Sequence, residues 1–144
     1  MNEIMMVRRI NSKVDISMKF IFYRCKTFKD LCTFVKVYMD GFGISKYKYL
    51  LYILNNINSK YENYIVYQEG KIIGCFALYT NNDTPCLYDF SILSKYRGIG
   101  LGSQCLNQII NLVYDKGFND LYLFVRKGND AAISLYIKHN FYFC

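Results

Sequence analysis

Residues Cys86–Gly102 read CLYDFSILSKYRGIGLG, an apolar run closed by three glycines at alternate positions. The first eight residues, Cys86 to Leu93, have the length and composition of a largely buried strand. Ser94-Lys95-Tyr96 leads out of it into Arg97-Gly98-Ile99-Gly100-Leu101-Gly102. Leu101, Cys105, Leu106, Ile109, Ile110, Leu112 and Val113 then fall on one helical face, which predicts a helix from about Gly100 to Lys116. Glycines let a backbone approach a ligand closely and adopt angles that a Cβ forbids. The first turn of the helix directs unpaired N–H groups and the positive end of its dipole at the loop. Strand, glycine loop and helix together make an anion site that suits a pyrophosphate.

Three cofactor classes use such loops. A P-loop needs Gly-x-x-x-x-Gly-Lys-Ser/Thr, and no Lys-Ser or Lys-Thr follows these glycines. A dinucleotide fold places Gly-x-Gly-x-x-Gly after an early strand inside repeated β-α-β units. Here the loop comes late and the glycine spacing differs. Coenzyme A remains, beside the plainer alternative of a structural turn with tight helix packing.

The rest of the chain bounds the setting. Its 144 residues are one domain's worth, and 53% of them are hydrophobic, which argues against disorder. Six cysteines occur without a C-x-x-C pair, and His139 is the single histidine, so a zinc site is disfavoured. Cys25, Cys75 and Cys105 sit in apolar runs, which favours buried free thiols in a reducing compartment. The N-terminus lacks the apolar core of a signal peptide, and no stretch nears the ~20 apolar residues of a membrane span. The expectation is a soluble, cytoplasmic protein without a membrane partner. The formal net charge is +7, but the lysines are scattered rather than clustered, so nucleic acid is disfavoured as a partner.

Working outward, residues 1–17 are weakly patterned and read as a tail or an extra first segment, leaving 18–144 as the domain. Lys19–Cys25 reads as a strand, and Thr27 caps a helix from Phe28 to about Asp40 that Gly41 and Gly43 break. A second helix is expected from about Ser45 to Asn58. Asn63–Gln68 and Ile72–Thr80 form a hairpin around Glu69-Gly70-Lys71, and Asn81–Pro85 reads as a loop. Asp120–Val125 is a strand, Asn129 or Asp130 caps a last helix to about His139, and Phe141–Cys144 begins a short strand. The order is that of an α/β (α+β) layer fold around a mixed sheet.

These residues resemble the GNAT N-acetyltransferase family. Its Gln/Arg-x-x-Gly-x-Gly/Ala signature is met by Arg97, Gly100 and Gly102, and its second motif by Val125, Asn129, Ala132, Leu135 and Tyr136, followed by His139-Asn140-Phe141. The resemblance covers roughly residues 18–143. Gly74–Tyr79 and Leu87–Gly102 look most similar to the diamine acetyltransferases. The resemblance implies a mainly antiparallel central sheet with about four helices, and an enzyme that moves the acetyl group of acetyl-coenzyme A to a primary amine of a small molecule or protein by direct attack. It implies that backbone groups of Ile92 and Leu93 pair with the pantetheine arm. It further implies that Arg97, Gly98, Ile99, Gly100, Leu101, Gly102 and Ser103 hold the pyrophosphate, that Asn129 contacts the cofactor, and that Tyr136 is the general acid for the departing thiolate.

Two departures qualify it. In the diamine enzymes a Glu precedes the residue matching Asp89, and here that place is Tyr88. Strand alternation puts Tyr88 and Asp89 on opposite faces. Asp89 therefore stays open as a base, a cation-binding residue or a structural hydrogen-bond partner, next to a water-relayed base. His139 reads as a cap or surface residue. The family also continues with two strands beyond the place of Cys144, so those strands are absent, or supplied by a second subunit at the C-terminal sheet edge, or this is a reduced copy. The alternatives to a transferase are a non-catalytic coenzyme A-binding module and, on charge alone, a nucleic-acid-binding protein.

Overall fold

The computed structural model describes residues 2–43, 48, 51, 55 and 60–144. The strands are β1 (Glu3–Arg9), β2 (Ile21–Arg24), β3 (Tyr61–Gln68), β4 (Lys71–Asn81), β5 (Thr84–Ile92), β6 (Asp120–Arg126) and β7 (Tyr142–Phe143). The helices are α1 (Phe28–Phe42), α2 (Leu101–Asp115) and α3 (Asp130–Lys138), with a 3-10 turn at Ser94–Tyr96. The helix expected over 45–58 lies almost wholly outside the described residues. Among the described residues no helix is long and apolar enough to cross a membrane.

One seven-stranded sheet runs in the order β2-β3-β4-β5-β6-β1-β7. Every neighbouring pair is antiparallel except β5–β6, which is parallel. The sheet is thus mixed and mainly antiparallel, as expected. Alternation along β3 splits the core into two layers. Tyr64 and Val66 pack with Leu106, Ile109 and Ile110 of α2, while Ile65 packs with Phe34, Val35 and Val37 of α1 on the other face.

Local chemistry sets the element ends. Thr27 and Asp30 exchange side-chain bonds with each other's backbone N–H at 3.1 Å, a capping box that starts α1. Glu69 and Gly70 both have positive φ (50° and 77°), the two-residue turn that matches strand twist. Asn82 and Asp83 do the same (49° and 63°), so the expected Asn81–Pro85 loop shrinks to a two-residue turn. Pro85 then lies in β5, next to its first residue, where a missing N–H is tolerated.

One expectation is corrected and another is narrowed. Gly41 does not break α1; it lies inside the helix, and Gly43 (φ 61°) is the left-handed cap that ends it. A Cβ on Gly41 would fall 1.9 Å from Ser91 Oγ, so the glycine is there to let α1 touch β5. Of the two readings of residues 1–17, a tail or an extra first segment, β1 is the second. β1 pairs with β6 through seven residues, from Glu3↔Arg126 to Arg9↔Asp120. The chain between β1 and β2 is then strapped along α2 by three amide side chains at helical spacing. Asn111 bonds both backbone groups of Val14 (2.7 and 2.8 Å), Gln108 bonds both of Phe20 (2.8 and 2.6 Å), and Ser17 Oγ donates to Gln104 Oε1 (3.0 Å). The strand bordering β6 therefore comes from this chain's own N-terminal segment, an outcome outside the three anticipated for that side of the sheet.

Candidate functional site

The site grows from a parting of two strands. β5 and β6 pair only at Cys86↔Tyr122 and Leu87↔Leu123. Beyond that point a bulge intervenes. On the β4 side, Ala77 opposes Tyr88 and Cys75 opposes Ser91, so two β5 residues stand against one of β4. Asp89 carries the bulge with φ 55°, and its carbonyl accepts from Cys75 Sγ at 3.4 Å. The bend turns β5 away from β6 and opens a cleft between Phe90–Ile92 and the start of α3.

Backbone bonds decide which groups face the cleft. The Leu93 N–H donates to Ile73 O (2.8 Å), and Leu93 O accepts from Tyr96 N (2.9 Å) in the 3-10 turn. Both backbone groups of Leu93 are thus spent internally, so Leu93 does not offer the pairing edge that the resemblance implied. Successive residues of a strand present their backbone groups to opposite sides, so those of Ile92 face the cleft. Arg97 folds back under the loop, its Nε donating to Ile92 O at 2.8 Å and Nη2 lying 3.4 Å from Ser91 Oγ.

The glycine loop takes the predicted form. Gly98 (φ 81°) and Gly100 (φ 83°) are left-handed, and Gly100 is the cap of α2. The first bond within the helix is Gln104 N to Gly100 O (3.2 Å), which leaves the N–H groups of Leu101, Gly102 and Ser103 without helical partners. A cavity of about 450 Å³ lies under them, lined by Phe90–Ile92, Arg97, Gly98, Gly100–Gly102, Asn129 and Tyr136 among others. Ile99 is 71% exposed at the loop tip. Unpaired N–H groups at a helix start, a guanidinium beneath them and a strand edge open to one side fit a diphosphate with an extended arm, which is the donor set coenzyme A requires.

Ser103 is placed differently from expectation. It does not line this cavity; its Oγ lies 2.7 Å from His139 Nε2, while His139 Nδ1 lies 2.9 Å from Asn107 Oδ1. Asn107 Oδ1 can only accept, so Nδ1 carries the proton and Nε2 accepts from the Ser103 hydroxyl. His139 is only 7% exposed. Burial first, then the charges of Lys138 and Arg8, lower its pKa, which favours the neutral ring this network uses. Arg8 Nη1 also donates to the His139 carbonyl, tying β1 to the end of α3. His139 is thus the expected cap at the end of α3, but a buried clasp between α2 and α3 rather than a surface residue. The signal in the sequence was Ser103 and Asn107 at i,i+4 on the face of α2 opposite that end.

Tyr136 sits on α3 behind the cleft, edge-on to Phe141 at 5.5 Å between ring centroids. Burial pushes its phenol up to about 12, so it holds its proton at neutral pH. Asn129 caps α3, its Oδ1 accepting from Ala132 N at 3.3 Å. Both residues also line a second cavity of about 480 Å³, together with Glu3, Tyr38, Tyr88, Asp89, Phe124 and Arg126. Tyr88 and Asp89 therefore reach one cavity, contrary to strict alternation, because the bulge at Asp89 resets the face. Asp40 is occupied elsewhere, accepting from Ser94 N (2.8 Å) and Ser94 Oγ (3.1 Å).

The sequence model of the acetyltransferase (GNAT) family matches residues 29–141. A [ribosomal protein bS18]-alanine N-acetyltransferase of Haemophilus influenzae is 34% identical over 87 residues, which span 60% of this chain and 59% of that protein. The chain thus matches about three fifths of that relative's length. The fold is shared with the ribosomal-protein-S18-alanine N-acetyltransferase of Escherichia coli (TM-score 0.66, 23% identity, 84% of this chain and 76% of that one). It is shared as well with a PaiA N-acetyltransferase of Thermoplasma acidophilum in complex with coenzyme A (TM-score 0.65, 18% identity, 85% and 89%).

Proposed function

The chain belongs to the acetyltransferase (GNAT) family, and from that premise we propose that it transfers an acetyl group from acetyl-coenzyme A to a primary amine within a ternary complex. The observation that carries the proposal is the place of Tyr136, which lines both the cavity under the glycine loop and the cavity beside Asp89. A protonated phenol at the junction of a cofactor cavity and an acceptor cavity is where acyl transfer needs a proton donor.

When bound, acetyl-coenzyme A supplies an acyl thioester. Its diphosphate would lie on the N–H groups of Gly98 to Ser103, with Arg97 beneath, and its arm along Phe90–Ile92. Ser103 serves through its backbone N–H, because its hydroxyl is engaged by His139. Asn129 borders the arm. The Ile92 N–H, facing the cleft, would stabilise negative charge developing on the carbonyl oxygen. The amine nitrogen attacks the carbonyl carbon, the carbon–sulfur bond breaks, and Tyr136 gives its proton to the departing sulfur. The proton lost by the amine goes to Asp89, directly or through water.

The bS18-alanine N-acetyltransferases among the relatives make a peptide α-amine one acceptor to test beside small amines. We place the reaction in the cytoplasm, where buried free thiols such as Cys75 and Cys105 persist. We also place a homodimer contact at the C-terminal sheet edge, where β7 pairs through just Tyr142 and Phe143, both about half exposed. A monomer in sedimentation at micromolar concentration overturns the dimer. The transferase itself is tested by thiol release and mass spectrometry with alkylamines, arylamines and short peptides. Release coupled one-for-one to an acetylated amine is expected. Tight binding of acetyl-coenzyme A with no acetylated product overturns the transferase in favour of a binding module.

A further inference from the structure

Glu3 and Arg126 are directly opposed across β1 and β6, as are Met5 and Phe124, so these four side chains share one face of the sheet. Tyr88 joins that face, its ring 6.3 Å from that of Phe124. The fields of the charged groups cross the cavity. Tyr88 senses the negative charge of Glu3, and Tyr38 of α1 senses both Asp89 and Arg126. Among the described residues no hydrogen bond or ion pair engages the Glu3 carboxylate. Two carboxylates and one guanidinium give this cavity a net negative charge in a chain whose overall charge is +7.

We propose that Glu3, delivered by the N-terminal strand, binds the ammonium form of the acceptor, so that the second cavity selects a monocationic primary amine carried on an apolar body. This rests on the transferase reading above. A basic protein repels amines at long range, so recognition needs a local counter-charge. Glu3 supplies it in the lining of the cavity, and the aromatic side chains of Tyr38, Tyr88 and Phe124 in the same lining suit a cation and an apolar body. The bound ammonium loses its first proton to water before attack, so that Asp89 takes only the second, released as the carbon–nitrogen bond forms. Arg126 balances one of the two carboxylates, which leaves charge for one ammonium and disfavours a polyamine. The sequence could not show this, because Glu3 and Asp89 are far apart in the chain and meet only through β1–β6 pairing.

The test measures KM and kcat for the full chain and for Glu3→Gln with three acceptors. 2-Phenylethylamine and an alanine-initiated hexapeptide serve as cations, and aniline serves as a neutral amine. Loss of a charge-assisted contact should raise KM for a cationic acceptor about tenfold, with kcat and acetyl-coenzyme A affinity unchanged. KM for aniline should stay the same in the variant, and raised salt should weaken the cationic acceptors in the wild type more than in Glu3→Gln. A strand damaged by the substitution would alter cofactor binding and all three acceptors together. Acetylation of aniline alone, or unchanged KM values in Glu3→Gln, overturns the role of Glu3. Absence of turnover on all three acceptors overturns the transferase reading beneath it.

Discussion

His139 illustrates how one buried ring can hold two parts of the site in register. Its Nε2 takes the Ser103 hydroxyl at the start of α2, its Nδ1–H goes to Asn107, and its own carbonyl is held by Arg8. α2 presents the glycine loop and α3 presents Tyr136, so the clasp fixes the distance between the proposed diphosphate cradle and the proposed proton donor. The pKa of His139 is lowered in the folded chain from an ordinary value of 6.5 by burial, Lys138 and Arg8. A base with a depressed folded pKa contributes stability that is present above its unfolded pKa and is lost as pH falls through the folded one. Thermal melts of the wild type should therefore lose stability below about pH 6.5 more steeply than those of His139→Gln, which keeps polar atoms there but cannot titrate. Parallel pH profiles for the two would contradict the clasp. Ser103 was legible as part of the glycine loop, but its partner was not, because His139 lies 36 residues away and meets it only through the packing of α3 on α2.

At the scale of elements, the parts written in local chemistry were readable. The Thr27 cap, the Glu69-Gly70 turn, the glycine loop and the helix after it each need only neighbours within a few residues. What escaped depends on distant partners. β1, Glu-Ile-Met-Met-Val-Arg-Arg, shows no clean alternation, since it buries Met6 and Val7 side by side and gains its order from β6. The bulge at Asp89 uses a left-handed angle that no glycine announces. The straps from α2 use Gln104, Gln108 and Asn111, amides that in sequence look like an ordinary polar helix face. They give a direct check on the N-terminal segment. Gln108→Ala strips both partners from the backbone of buried Phe20 and should cost about 1–3 kcal/mol in denaturant unfolding. A change near zero would mean that Gln108 does not hold the chain between β1 and β2 against α2.

For the whole molecule, charge and cavities divide the labour. A net charge of +7 draws in an anionic cofactor, while the cavity at Glu3 and Asp89 reverses the sign locally for a cationic acceptor. Most of the proposed cofactor half was readable because one continuous stretch, Cys86 to Gly102, supplies much of its lining, to which α3 adds Asn129 and Tyr136. The acceptor half was not, because it draws on β1, α1, β5 and β6 at once. The two halves meet at Tyr136, whose phenol is held protonated by burial. The most direct measurement is the steady-state rate of Tyr136→Phe beside wild type, with acetyl-coenzyme A affinity measured on both. Loss of a general acid should lower kcat by about 100-fold or more while leaving cofactor affinity within about twofold. A Tyr136→Phe variant that turns over an amine at the wild-type rate would contradict the account.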